Sequence, residues 1–369
     1  MSQDLKIERL LLIALSAILT SYGFIILGSA VLPIPYRSSL FVKQCMWLII
    51  AVTACIVFSF INLKKLQPYC RWIGLVTIAV LILVLIPGIS RCIKGAHRWI
   101  EFGGLRIQPS EPAKVGFILF FSDYLSNHMH ELNDFFRGFL KPFCLAGCFC
   151  VLLILEPDFG TTALFGTVTA ILLFVRGVKI KFIAPTLILA FSLFCVAIYL
   201  NPVRLHRIIA FLDLENNRLA GAYQLWQSLL AFSSGGWWGC GLGQGRQQFF
   251  FLPEAHTDFI GSILAEELGI VHMLILLGCF SLITCLGIRI IQKQGQPFLF
   301  FIGLGTTTFL TSQVFLNLGI ITGLLPTKGL ALPFLSYGGS NLVTNFCFIG
   351  LLINLTRSTY SPLHSLYTP

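Results

Sequence analysis

Charge is what this chain has least of. Its 369 residues include 25 Lys and Arg and 15 Asp and Glu, 11% of the sequence, against roughly 25% in an ordinary soluble domain. So few charges cannot coat a water-soluble surface of that size, whereas a lipid-facing surface needs none. Three catalytic signatures are also missing: Gly-x4-Gly-Lys-Ser/Thr, His-Glu-x-x-His and Gly-x-Ser-x-Gly. Their absence counts against nucleotide hydrolysis, zincin chemistry and α/β-hydrolase chemistry. The sequence has no internal repeat and no low-complexity tract. The Gly239-Cys240-Gly241-Leu242-Gly243-Gln244-Gly245 run lacks dinucleotide-binding spacing and no βαβ pattern surrounds it.

Apolar length is what the chain does have. Hydrophobic residues make up 56% and there are 34 Phe, which excludes a disordered chain, while the size excludes a disulfide-built secreted scaffold. Crossing a bilayer takes about 17–25 apolar residues. Stretches of that kind lie near 10–31, 41–61, 73–89, 111–125, 142–156, 160–176, 182–200, 261–288, 298–322 and 342–356. Helices are the expected form, because a lipid-exposed backbone must satisfy its own hydrogen bonds. The expected fold is therefore all-α: a polytopic integral membrane protein with about ten transmembrane helices. It forms one domain over 1–369, with a large extracytoplasmic loop at 201–260 between helices 7 and 8. The run after Lys6 and Arg9 is longer than a signal-peptide core and is expected to stay as the first helix. Glu156-Pro157-Asp158-Phe159-Gly160 interrupts one long apolar run and reads as a turn at a membrane face or as a broken helix lining a cavity.

With the N-terminus inside, every inner segment carries at least one Lys or Arg, and most of the net charge of +10 falls on the inner side. That excess suits membrane anchoring and says nothing of nucleic acid. Most outer cations sit in two long loops, 90–110 and 201–260, where an anionic ligand would explain them. The twelve Cys carry little signal. Cys144, Cys148 and Cys150 lie in an apolar span as small hydrophobes, and Cys92 with Cys240 are the two in outer loops, where they could pair.

Three clusters could carry chemistry. In the first, Leu252-Pro253-Glu254-Ala255-His256-Thr257-Asp258 precedes the eighth span. Asp258 either caps that helix or works as a general base with a raised pKa close to lipid. Glu266 and Glu267 lie about two turns deeper, facing a cavity or neutralising an outer Arg. The same loop opens as an amphipathic helix, Tyr223 to Phe232, before Trp237 and Trp238. In the second cluster, Arg98 precedes Gln108-Pro109-Ser110-Glu111-Pro112-Ala113-Lys114, which reads as a helix start. Glu111 and Lys114 form a local ion pair there, or Arg98 and Lys114 bind a diphosphate. In the third, Leu325 to Ser340 holds Pro326, Pro333 and three Gly, a non-helical outer segment. Lys328 and Ser336 could line a polar cavity there.

At these residues the chain resembles the SEDS family (FtsW, RodA, SpoVE). Four motifs occur in the family's order: Gln108 to Lys114, Glu156 to Thr161, Pro253 to Gly269 and Pro333 to Ser340. Pro-Glu-Ala-His-Thr-Asp with Pro326-Thr327-Lys328-Gly329 looks closest to the division-type FtsW branch. Pro112, Leu214 and Asn341 depart from the usual pattern without removing a charged motif residue. The resemblance implies a peptidoglycan glycosyltransferase that polymerises lipid II at the outer face of the bacterial cytoplasmic membrane, at the division septum. Asp258 matches the catalytic position. Substrate contacts are expected from Arg98 and Lys114 first, then Arg207 and Arg246, with Glu111, His256, Lys328 and Ser336 in the same motifs. A divalent cation (Mg or Mn) could assist. Expected partners are lipid II, the undecaprenyl-diphosphate-linked glycan, a cognate class B penicillin-binding protein, other divisome proteins and membrane lipid. A lipid II flippase and a non-catalytic scaffold for a penicillin-binding protein are the rival classes.

Overall fold

The computed structural model describes residues 3–31, 38–86, 88, 90–93, 96–102, 105–131, 134–247, 251–253 and 255–358. In chain order the helices are α1 (Gln3–Val31), α2 (Ser38–Phe60), α3 (Leu63–Leu66), α4 (Cys70–Leu85), α5 (Ser110–Asn127), α6 (Lys141–Leu155), α7 (Phe159–Arg176), α8 (Ile180–Tyr199), α9 (Pro202–Leu212), α10 (Tyr223–Gly235), α11 (Ile260–Gln292), α12 (Pro297–Ile321) and α13 (Gly339–Ser358). Among the described residues, eight helical segments are long and apolar enough to cross a membrane. The other two of the ten expected positions are α5 and the apolar Ile180–Leu193 part of α8. Helix α5 carries Glu111, Lys114 and Asp123, all buried, so its charges face protein rather than lipid. Large apolar side chains of α2, α4 and α8, among them Ile49, Val76 and Phe191, are exposed, as lipid contact requires.

Helix α13 is the centre of the bundle. It packs against α2, α12, α5 and α1, and Gly350 lets α2 approach so closely that a Cβ there would lie 2.6 Å from the Cys55 carbonyl oxygen. Small residues at such crossings are how membrane helices gain contact without a hydrophobic driving force. Beside α13 lies an aromatic core. Phe117 stacks on Phe121 at 5.1 Å and meets Phe149 at 5.1 Å and Phe165 at 4.9 Å.

Three local features differ from the expected map. The segment 90–110 contains a three-stranded antiparallel sheet, β1 (Arg91–Ile93), β2 (Ala96–Phe102) and β3 (Leu105–Ile107), with Glu101 opposite Arg106. Its sequence signal was the Gly103-Gly104 pair between two strand-like runs. The fifth span starts at Phe135, not 142, through a π-helical turn over Phe135–Leu140. Pro142 in the first turn of α6 supplies no amide hydrogen, and the wider turn before it continues the helix. The eighth span is kinked at Gly269, whose φ of 81° and ψ of 179° are non-helical. The loop after α10 mends that break. Cys240 and Gly241 N–H donate to the Glu266 and Glu267 carbonyls, and Ile270 N–H donates to the Gly236 carbonyl. Backbone groups freed inside a membrane helix have to be satisfied in this way.

Candidate active site

The starts of α5, α7, α11 and α13 and the ends of α6, α8 and α12 meet at one end of the bundle. There a cleft of about 170 Å³ is lined by Arg98 of β2, Asp158 and Phe159 at the start of α7, Arg207 of α9, and Thr327, Lys328 and Gly329 of the α12–α13 segment. Three cations therefore face one space. The 156–160 break is a turn between two separate helices, α6 and α7, that pack on each other, rather than a break within one helix, and it forms part of this lining. Asp158 is the N-cap of α7: its carboxylate accepts from Thr161 N–H at 3.3 Å and Thr161 Oγ1 at 2.9 Å, and from Gln108 Nε2 at 3.3 Å. Arg98 is clamped on the same turn, Nε to the Glu156 carbonyl at 2.7 Å and Nη2 to the Pro157 carbonyl at 2.6 Å. Two of its five N–H donors are thereby used. Lys328 holds its ammonium 5.7 Å from the centre of the Phe159 ring, a cation–π distance.

Asp258 borders this cleft. A Cβ on Gly329 would stand 2.8 Å from Asp258 Oδ2, so the glycine leaves the room that the carboxylate occupies. Asn317 of α12 fixes the pair: its Nδ2 donates to the Asp258 carbonyl at 2.9 Å and to the Leu330 carbonyl at 2.5 Å. One turn earlier, Gln313 Nε2 donates to the Ala331 carbonyl at 2.8 Å. Behind Gln313 stands Lys114, whose Nζ donates to Gln313 Oε1 and to both Glu111 carboxylate oxygens, each at 2.9 Å. Asn341 Nδ2 completes Glu111 at 3.2 Å.

The expected site residues therefore divide into two groups. Arg98, Arg207 and Lys328 line the cleft and Asp258 borders it. Lys114, fully buried, and Glu111 sit beneath it as an ion pair, so the local-pair reading describes their geometry, and through Gln313 they reach the segment that carries Gly329. Ser336 is buried; its hydroxyl accepts from Leu332 N–H at 2.7 Å, which folds the turn rather than opening to the cleft. The His256 carbonyl accepts from Tyr337 N–H at 2.9 Å, and its ring lies 5.9 Å from the Tyr337 ring. Arg246 is exposed and outside the cleft lining; its amide donates to Glu266 Oε1 at 2.9 Å.

Glu266 and Glu267 serve the glycine-rich loop. They accept from the amides of Gln247 at 3.2 Å and Gly243 at 3.0 Å, and Glu267 also takes the Ser29 hydroxyl at 2.7 Å. Lys94, Phe249, Phe250 and Glu254 lie outside the described residues, as does the Cys92 side chain and with it the Cys92–Cys240 pairing. Sequence reasoning missed Asp158, Gln313 and Asn317 as parts of this site. Asp158 was visible as an acid in a helix-breaking motif, but the two amides sit in an apolar span and gave no signal. Among the described residues no three His, Cys, Asp or Glu side chains converge as a metal site. The carboxylates at the cleft are Asp158, already committed as a cap, and Asp258.

Glu156 is the remaining acid. It is fully buried, neither carboxylate oxygen has a hydrogen-bond partner, and its carboxyl is pushed up to about 8. Burial is the main cause, then Asp158, with Arg98 opposing both.

Fold and site together define a multi-pass helical membrane protein with Asp158 and Asp258 at a cationic cleft. The family model described as cell cycle protein, covering FtsW, RodA and SpoVE, matches residues 9–361, and the chain belongs to that family. The probable peptidoglycan glycosyltransferase FtsW of Coxiella burnetii is 38% identical over 351 residues, 92% of this chain and 94% of the relative. That of Geobacter metallireducens is 36% identical over 365 residues, 97% of each. A chain of a solved peptidoglycan synthase complex superimposes with a TM-score of 0.79 at 26% identity, covering 95% of this chain and 98% of its own. The rod shape determining protein RodA of Thermus thermophilus gives a TM-score of 0.71 at 26% identity, with 95% and 97% covered.

Proposed function

We propose that the chain is a peptidoglycan glycosyltransferase of the division-type branch, polymerising lipid II at the outer face of the bacterial cytoplasmic membrane. The observation that carries the mechanism is the placing of the Asp258 carboxylate against Gly329, on the loop whose neighbour Lys328 faces Arg98 and Arg207 across the cleft. The growing glycan, linked through its anomeric carbon to undecaprenyl diphosphate, is the donor. The 4-hydroxyl of a lipid II sugar is the acceptor. Asp258 takes the hydroxyl proton as the new C–O bond forms at the anomeric carbon. The bond to the diphosphate breaks, its electron pair leaving on the phosphate oxygen. Arg98, Arg207 and Lys328 face that developing charge, and in a site shielded from water such groups are worth more than in solution. Lys114 and Glu111 support the loop from beneath. Among the described residues Asp158 is committed to Thr161 and Gln108, so the cleft offers a divalent ion no ready pair of carboxylates.

Against the transporter reading, the part of α5 between Lys114 and Asp123 carries Phe117, Ile118 and Phe121, each fully buried, so an apolar layer separates the two charged ends of that helix. For a partner, a class B penicillin-binding protein supplies the cross-linking that a bare polymerase lacks, and the solved synthase complex among the structural relatives supports such an assembly. Its site of action is the division septum, as the FtsW relatives suggest.

The test is glycan formation from labelled lipid II by purified protein with its partner. Asp258→Asn keeps the shape and removes the base, so polymerisation should fall about 10²–10⁴-fold while thermal unfolding stays unchanged. Wild-type rates in that variant would sink the assignment.

A further inference from the structure

A second cavity lies away from the cleft. It holds about 580 Å³ and is lined by Lys64, Gln67, Pro68, Arg71, Trp72 and Leu75 on one side, with Asp123 and Asn127 of α5 on the other. Asn127 lies 16 residues along α5 from Glu111, roughly 24 Å at helical rise, so the cavity is at the opposite end of the bundle. That end also gathers the start of α1 and the end of α11, joined by Lys293 and Glu8 at 2.6 Å. On the expected orientation it is the cytoplasmic side.

The wall is built with a gradient. The link from α2 to α4 stays helical through α3 and a short turn, because the Asn62 side chain caps Lys65 N–H at 3.2 Å. The lining residues recur at helical spacing along this stretch, forming one stripe. Its membrane-surface end is cationic (Lys64, Arg71) and its inner end apolar (Trp72, Leu75), with Trp72 and Leu75 exposed. Asp123 organises the floor: its Oδ1 accepts from Asn127 Nδ2 at 2.7 Å and Gln67 Nε2 at 3.1 Å. Oδ2 lies 4.0 Å from Arg71 Nε, whose side chain is 72% exposed. The acid is thus engaged by the protein, and Lys64 and Arg71 turn their remaining donors to the cavity.

We propose that this cavity binds an anionic phospholipid, its phosphodiester between Lys64 and Arg71 and its acyl chains descending past Trp72 and Leu75. Gln67 and Asn127 border the headgroup with amide groups suited to a glycerol hydroxyl. Basic pockets between membrane helices take anionic headgroups, and an exposed Trp at the boundary suits the interface. A free phosphate shares the headgroup chemistry but has nothing to place against Trp72 and Leu75.

The test uses the full chain in detergent, with lipid binding followed by native mass spectrometry and thermal unfolding. Phosphatidylglycerol should bind at least tenfold more tightly than phosphatidylcholine, and inorganic phosphate should not displace it. Lys64→Ala with Arg71→Gln should abolish that preference. Lys179→Ala with Lys181→Ala, which removes the same charge from exposed positions at the same end of the bundle, should keep it. Equal loss in both double variants would reduce the effect to diffuse surface charge and overturn the site. So would an absent preference for phosphatidylglycerol, or its displacement by phosphate.

Discussion

Replacing Lys114 by Met separates two roles that a lysine beneath a cationic cleft can have. The native ammonium is fully buried and makes three contacts at 2.9 Å, two to Glu111 and one to Gln313. Met fills similar space and removes all three. Glu111 is then left buried with the Asn341 amide at 3.2 Å among these partners, and Gln313 Oε1 loses its donor. Breaking a buried ion pair from one side costs about 3–5 kcal/mol, because the charge left behind is uncompensated. The assay is thermal unfolding of the purified protein in detergent, followed by intrinsic fluorescence. Lys114→Met should be strongly destabilised, and Glu111→Gln with Lys114→Met should recover most of the loss, since no charge is stranded. Unfolding of the single variant at the wild-type temperature would refute the reasoning, as would a double variant no better than the single. A lysine that bound diphosphate directly would leave stability unchanged and raise KM for lipid II.

Glu156→Gln tests the buried acid in the turn that Arg98 grips. A carboxyl raised from its ordinary value of 4.5 to about 8 keeps its proton longer in the fold than in the unfolded chain. Its contribution to stability is therefore full below about pH 4.5 and is lost as pH rises through 8. Gln mimics the protonated form, so thermal unfolding of the variant should lose that slope between pH 5 and 8; an unchanged slope would refute the burial argument. Gly329→Ala places a methyl 2.8 Å from Asp258 Oδ2, closer than van der Waals contact allows, so the carboxylate has to move. Displacing a catalytic base by about an ångström costs on the order of 10²-fold, so lipid II polymerisation should fall steeply while unfolding temperature holds. Full activity with a normally folded protein would mean that Asp258 does not work from this position.

Much of the bundle was legible because spans advertise themselves by apolar length, and the ten expected positions are all helical. Features made by pairing between distant segments were not. The kink at Gly269 depends on a loop some 30 residues earlier donating amides to it, and nothing in an apolar stretch of that length marks where the break falls. The site shows the same limit from the other direction. Sequence shows which residues bear charge but not how deeply each lies, so Arg98 and Lys114 looked like equal candidates for a phosphate. Depth separates them: Arg98 keeps donors toward the cleft, whereas every polar contact of Lys114 runs into protein. The buried amides decide what Lys114 then does. Gln313 and Asn317 lie one turn apart on α12, and each bonds a backbone carbonyl of the segment that carries Gly329. Lys114 grips the first of them, and the second also holds the Asp258 carbonyl. A buried polar network of this kind rigidifies its members, although Asn317 Oδ1 is left without a hydrogen-bond partner among the described residues, and a rigid surround is what a general base needs. The motif Pro-Ser-Glu-Pro-Ala-Lys is therefore better understood as the foundation on which Asp258 is set than as part of the surface that meets the substrate.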